Sequence, residues 1–245
     1  MKIIDYVNTK FDPQETNRTF GTGLPYPMVE LKDFLPEDFA LKMFKEAQTV
    51  SDEHWTRFTR NKSFMKECIK LEHCPVAEEF VNAMHSASGM KWLSEVTGIP
   101  HLLGDPYIIG AGYSKSWAGD SLKLHTDFNW NDKLKLHRAA SLIVYLTPDW
   151  NPEWGGDLQF WDYNREKIVS KVDCTFNNCV IWKHHKRGFH GYPDPITCPP
   201  NIHRTTFRLM FYTSEANYDP QDRPHRSLYW FDKDASEPYD IPTQR

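Results

Sequence analysis

The stretch HRAASLIVYLTPDWNPEWGGDLQFWD, residues 137–162, holds two apolar runs, ASLIVYL and DLQFWD, on either side of a turn-rich segment with Asn151-Pro152 and Gly155-Gly156. Short runs weighted toward β-branched and aromatic residues and bounded by Gly and Pro read as strands joined by a turn. The texture continues outward in both directions. YIIGAGY (107–113) and LKLHTDF (122–128) precede the stretch, and KIVSKV (167–172), CVIWKH (179–184) and RTTFRLMFYT (204–213) follow it. Such a series predicts a β-sandwich. The 14% aromatic content, with nine Trp, supplies wide side chains that fill the space between two sheets.

Upstream the texture is helical. MVELKDF (28–34) alternates enough for an edge strand and runs into LPEDFALKMFKEAQ (35–48), where Phe39, Met43, Phe44 and Ala47 recur at helical spacing behind Pro36. Phe80, Val81, Met84, Leu93 and Val96 mark a second helical stretch, broken or weakened at Gly89 and stopped by Gly98 and Pro100. Helices followed by strands predict an α+β, mainly β chain: a double-stranded β-helix (jelly-roll) core braced by N-terminal helices. The expected organisation is a single domain over 1–245. Residues 1–105 would be the supporting strand and helices, 106–214 the jelly-roll core, and 215–245 a peripheral extension rich in Pro and acidic residues.

A net charge of −4 gives no basic surface for nucleic acid or anionic lipid. No run approaches the roughly 18 apolar residues of a membrane span, and the first residues lack a signal-peptide pattern, so the expectation is a cytoplasmic protein. Five Cys with no CxxC pair argue against a disulfide framework or a thiolate zinc site.

Residues two apart on a strand share a face, so His125 and Asp127 in LKLHTDF can aim an imidazole and a carboxylate at one point. An HxD pair is expected about once by chance in such a chain, so a third ligand from another strand must support it. His184, His185, His190 and His203 all lie at or between the later strands. His190, in GFHGYPDP just beyond CVIWKH, is where a partner strand would deliver its end to the same mouth; His184 and His185 read as exposed or turned away. Two His and one carboxylate leave three coordination positions open, the arrangement of non-haem Fe(II) oxygenases, and zinc fits the same ligands. Arg204 opens RTTFRLMFYT, where its guanidinium could form a two-pronged pair with a carboxylate inside the sandwich. A buried unpaired Arg implies an anionic guest; an ordinary ion pair with a neighbouring acid is the plainer alternative. Arg208, mid-strand, reads as a structural ion pair.

Taken in order, GAGYSKSWAGDSLKLHTDFNW (110–130), the stretch 137–162 and FHGYPDPITCPPNIHRTTFRL (189–209) resemble the prolyl 4-hydroxylase-like branch of the Fe(II)/2-oxoglutarate oxygenase superfamily, particularly its bacterial and phage members. The resemblance covers about residues 106–214. It implies that His125, Asp127 and His190 bind Fe(II), that Arg204 pairs with the distal carboxylate of 2-oxoglutarate, and that Tyr145 donates a hydroxyl hydrogen bond to that carboxylate. It also implies Tyr113 as a second co-substrate contact, Arg138 as a substrate contact near the entrance, and Gly155-Gly156 as the turn that lets the next strand pass close to the site. Asp127, where halogenating relatives carry a small residue, favours hydroxylation.

The implied activity is a dioxygenase that consumes O₂ and 2-oxoglutarate, with ascorbate as reductant, and hydroxylates an unactivated C–H bond. The best guess for the substrate is a proline residue in a peptide or protein. A free amino acid or other small metabolite is the alternative, and an inactive metal-binding interaction module is the alternative class. No nucleic-acid or membrane partner is expected. HWTRFTRNKSF (54–64) and FNWNDKLKLHR (128–138), basic and aromatic, are candidate lids.

Overall fold

The computed structural model describes residues 3–58, 65–68, 71–214 and 224–229. Two antiparallel sheets pack face to face. The strands of the larger sheet are β1 (Met28–Leu31), β2 (Thr56–Phe58), β3 (Met65–Cys68), β4 (Leu103–Gly104), β5 (Gly112–Ser116), β7 (Trp130–Asn131), β8 (Leu136–Tyr145), β11 (Cys179–Lys183) and β13 (Arg204–Thr213). The smaller contains β6 (Leu122–Thr126), β9 (Leu158–Trp161), β10 (Ile168–Val172), β12 (His190–Tyr192) and β14 (Leu228–Tyr229). Hydrogen bonding orders the first as β1-β11-β8-β13-β5-β3-β2, with β4 also on β13 and β7 also on β8, and the second as β10-β9-β12-β6-β14. This is the jelly roll expected from the sequence.

Strand periodicity divides the larger sheet's side chains between two clusters. On β8, β11 and β13, Leu142, Val144, Cys179, Ile181, Phe207 and Leu209 join a core with Phe39, Met43, Phe80, Met84 and Leu93 of the helices. The alternate residues Tyr145, Val180 and Trp182 meet Leu158, Phe160 and Tyr192 of the smaller sheet in a second core, between the sheets. The larger sheet therefore has a helix face and a sandwich face.

The helices are α1 (Pro13–Thr22), α2 (Glu37–Thr49), α3 (Pro75–His85) and α4 (Ala87–Thr97). Asp12 caps the start of α1 by accepting from Glu15 N. The second helical stretch breaks at Ser86, three residues before the expected Gly89, because the Ser86 hydroxyl accepts the Gly89 N–H and caps α4. Gly89 matters differently: a Cβ there would come within 2.3 Å of the Ala83 carbonyl oxygen. Gly98, at φ +66, ends α4 as expected.

Of the candidate lids, residues 59–64 lie outside the described residues, and 128–138 is a short hairpin in which Trp130 pairs with His137. Of the expected peripheral extension, 215–223 and 230–245 lie outside the described residues. Its remainder is not peripheral, since β14 completes the smaller sheet beside β6. Among the described residues no helix is long and apolar enough to cross a membrane.

Candidate metal centre and anion pocket

His125 and His190 lie directly opposite each other on the adjacent strands β6 and β12, with ring centroids 4.6 Å apart. Asp127, just past the end of β6, brings its carboxylate to the same point. Oδ1 is 3.7 Å from His125 Nε2, and Oδ2 is 3.4 Å from His190 Nε2. One donor atom from each residue lies within 4.8 Å of the others.

The backbone sets the tautomers. His125 Nδ1 is 2.8 Å from the Lys123 carbonyl oxygen, and His190 Nδ1 is 2.8 Å from that of Gly188. A carbonyl only accepts, so each Nδ1–H donates, and each ring turns its Nε2 edge toward Asp127, the edge a metal would use. Burial, reinforced by the His190 charge, pushes His125 down to about 4, so the ring is neutral at pH 7. Burial works to raise Asp127, but Arg138 and the two histidines outweigh it and hold the carboxyl well below the usual carboxylate range.

Arg138, expected at the substrate entrance, lies behind this carboxylate and is only 1% exposed. Its Nη2 is 2.8 Å from Asp127 Oδ2 and 2.7 Å from Ser141 Oγ, and its guanidinium lies 4.7 Å over the Phe128 ring. A register shift explains the displacement. Phe211 pairs with Ala140 but Tyr212 pairs with Arg138, so Ala139 bulges out of β8 and Arg138 turns to the face of Ser141 and Tyr145. His184, read as exposed or turned away, is also buried, and burial together with Arg138 pushes it down to about 3.

The second half of the site lies on the sandwich face at the start of β13. Arg204 is 4% exposed. Its Nε donates to the Cys174 sulfur at 3.1 Å, and its guanidinium lies 4.9 Å from the Tyr145 ring and 4.5 Å from that of Tyr192. Among the described residues no carboxylate forms a salt bridge with it. The Tyr145 hydroxyl is buried without a protein partner of good geometry, and burial raises its phenol far enough that it stays protonated. A buried guanidinium beside an unpartnered phenol suits a carboxylate guest, as two imidazoles and a carboxylate suit a divalent transition metal. Gly156 presses on this arginine: a Cβ there, at φ +83, would sit 3.0 Å from Arg204 Cδ.

Tyr113 is not brought to the site. It pairs with Phe207 on the helix face and donates to Glu46 Oε2 at 2.8 Å. The residue of β5 opposite Arg204 is Ser116, whose hydroxyl is 2.9 Å from that of Tyr192. Ser116, Cys174, Tyr192 and Tyr229 join these groups without standing out in the sequence as site residues. Only Tyr192 carried a signal, standing two residues after His190 on one strand.

Two histidines and a carboxylate beside a buried arginine, inside a jelly roll, form an arrangement that non-haem Fe(II) oxygenases use. Residues 111–212, which span every residue of the triad and Arg204, match the family model of the 2OG-Fe(II) oxygenase superfamily. The structure is similar to a Pseudomonas putida prolyl-4-hydroxylase (TM-score 0.58, 14% identity, covering 82% of this chain and 98% of that one). It is also similar to a Trichoplax adhaerens prolyl hydroxylase in complex with a hypoxia inducible factor peptide fragment (0.56, 15%, 82% and 90%). A third similar structure is HygX from Streptomyces hygroscopicus with nickel and 2-oxoglutarate bound (0.55, 10%, 82% and 87%). No curated protein matches the chain. The resemblance read from the sequence, to prolyl 4-hydroxylase-like 2OG-Fe(II) oxygenases, is borne out.

Proposed function

We propose that the protein is an Fe(II)- and 2-oxoglutarate-dependent dioxygenase that hydroxylates an unactivated C–H bond. The observation that carries this reading is the conjunction of a metal-directed triad with Arg204, a buried cation lacking a carboxylate among the described residues. His125, Asp127 and His190 would hold Fe(II), and Arg204 with the Tyr145 hydroxyl would bind the distal carboxylate of 2-oxoglutarate. Iron with 2-oxoglutarate and O₂ supplies the oxidising chemistry, and ascorbate serves as reductant. The chain's own residues orient both groups: the Lys123 and Gly188 carbonyls hold the imidazoles, Arg138 holds the carboxylate, and the aromatic walls exclude water.

Hydroxylation of a proline residue in a peptide is the finer reading, supported by the likeness to the two prolyl hydroxylases. A small-molecule substrate is the second reading, favoured by β14, which occupies the edge of β6 beside His125.

The test is succinate formation from 2-oxoglutarate with Fe(II) and ascorbate, alongside 2-oxoglutarate binding to wild type and Arg204→Met. The variant should lose about 100-fold or more in co-substrate affinity with metal content retained, the cost of removing a buried charge-assisted pair. Unchanged affinity would overturn the role of Arg204. Metal binding without 2-oxoglutarate turnover would identify an inactive metal-binding module instead.

A further inference from the structure

A cavity of about 400 Å³ opens beside the ligand strand, distinct from the arginine pocket, with neither Arg204 nor Tyr145 in its lining. Its size falls among small-molecule sites, which run from roughly 300 to 1,000 Å³. Phe128, Trp130 and Ile109 form one wall, and the segment 224–229, with Tyr229, forms the other. Tyr229 stacks on His125, with ring centroids 4.9 Å apart and planes inclined by 17°, and Phe128 directly follows Asp127. The inner surface of the cavity is therefore one side chain away from two metal ligands.

The segment 224–229 is fastened to the loop that carries those ligands. His225 N donates to Asn129 Oδ1 at 2.7 Å, Asn129 N donates to the His225 carbonyl oxygen at 3.3 Å, and Phe128 N donates to Ser227 Oγ at 3.2 Å. Leu228 and Tyr229 then pair with Thr126 and His125. With that edge filled, an extended peptide cannot add to β6 as a further strand, which favours the small-molecule reading and a compact occupant.

The charge lining the cavity leans positive. Arg226 lines it, and no carboxylate among the described residues forms a salt bridge with that side chain. Lys133 adds a second cation. Asp132, the acid in the lining, is already held by Trp130 Nε1 at 3.1 Å and by Lys135 Nζ at 3.8 Å. An aromatic chamber whose cations outnumber its acids among the described residues selects an apolar ring that bears an anion.

We propose that this cavity is the substrate chamber, that it takes a small carboxylic acid with an apolar ring, and that Arg226 pairs with the acid while Phe128, Trp130 and Tyr229 hold the ring. The proposal rests on the dioxygenase reading for the word substrate, and on the cavity alone for the ligand chemistry.

The full chain, loaded with Ni(II) and saturated with 2-oxoglutarate so that Arg204 is occupied, would be titrated by tryptophan fluorescence with two probes. These are 3-phenylpropionate and its uncharged amide. The acid should bind wild type about tenfold tighter than the amide, the worth of one charge-assisted pair. Arg226→Glu should reduce that preference below about twofold, Arg226→Lys should keep most of it, and Tyr229→Ala should weaken both probes alike. Equal binding of the two probes to wild type, binding of neither, or a preference that survives Arg226→Glu would overturn the proposal. The wild-type comparison decides even where a variant fails to fold. A protein that shows the Arg226-dependent preference but never binds 2-oxoglutarate would sink the dioxygenase reading and spare the chamber; the converse would spare the reading and sink the chamber.

Discussion

Tyr113 and Tyr145 lie on strands of one sheet, both with no exposed surface, yet they belong to different parts of the molecule. Tyr113 points to the helix face, where its hydroxyl donates to Glu46 and its ring meets Phe207 edge-on at 5.0 Å. Tyr145 points into the sandwich, where its hydroxyl has no partner of good geometry and its ring lies under Arg204. The first is a completed structural contact; the second leaves a buried hydroxyl without a well-formed hydrogen bond, which fits the co-substrate role proposed for it. The same division runs along β13, where Phe207 and Leu209 enter the helix-face core while Arg204 and Thr206 face the sandwich and, on neighbouring β5, Ser114 and Ser116. One face of the sheet packs against the helices, and the other holds the polar groups of the candidate site.

If that division holds, acid should act chiefly through the sandwich side. His184 and His125 titrate at about 3 and 4 in the folded protein, against about 6.5 in an unfolded chain. Their folded values are lowered, so the unfolded state takes up the protons first. In metal-free protein their contribution is complete above pH 6.5 and is lost as the pH falls toward 4, at up to about 1.4 kcal/mol per pH unit for each imidazole. Urea unfolding between pH 7 and 4.5 would measure it, and His184→Gln should flatten the slope. An unchanged slope would mean that His184 is solvated in the folded state.

Arg138→Met should lower metal affinity by about 10- to 100-fold, as expected when a group that orients a ligand is lost, with Arg138→Lys recovering part of it. Titration with Mn(II) or Ni(II) reads this directly. An unaffected affinity combined with a raised substrate KM would return Arg138 to the entrance role that its place in the sequence first implied.

The smallest effects separate the two tyrosines. Tyr113→Phe should cost about 1–2 kcal/mol of stability, since Glu46 loses one of its donors, and should leave 2-oxoglutarate affinity alone. Tyr145→Phe should cost little stability, because its hydroxyl has no well-formed hydrogen bond to a protein group, and should weaken 2-oxoglutarate binding about tenfold. The reverse pattern in thermal melts and co-substrate titrations would break the distinction between the faces.

The segments that announced themselves were those whose chemistry is local. Strands from residue 112 to 213 could be read because Gly and Pro bound short apolar runs, and His125 with Asp127 because period-two spacing puts both on one side of a strand. Arg204 stood out as a cation opening an otherwise apolar strand, and Gly155-Gly156 as a turn that the backbone at Gly156 bears out with φ +83. The site residues that misled were those whose facing depends on a partner. Strand parity is relative, so Tyr113 could be placed on the site face only by assuming a register that β13 does not give it, since Phe207 lies opposite. The 224–229 segment, polar and rich in turn formers, gave no local sign that it would pair with a ligand strand.

What the sequence determined by itself was therefore the strand series, the jelly-roll class, and which residue types were available for a metal and an anion. Hydrophobic periodicity and turn chemistry are properties of neighbours along the chain. What only the tertiary structure decided was which side of the sheet each group faces. The bulge at Ala139 turned Arg138 from a presumed entrance residue into the support of Asp127, and strand pairing placed Tyr229 against His125. Both follow from register between segments far apart in sequence, where a shift of one residue exchanges the two faces.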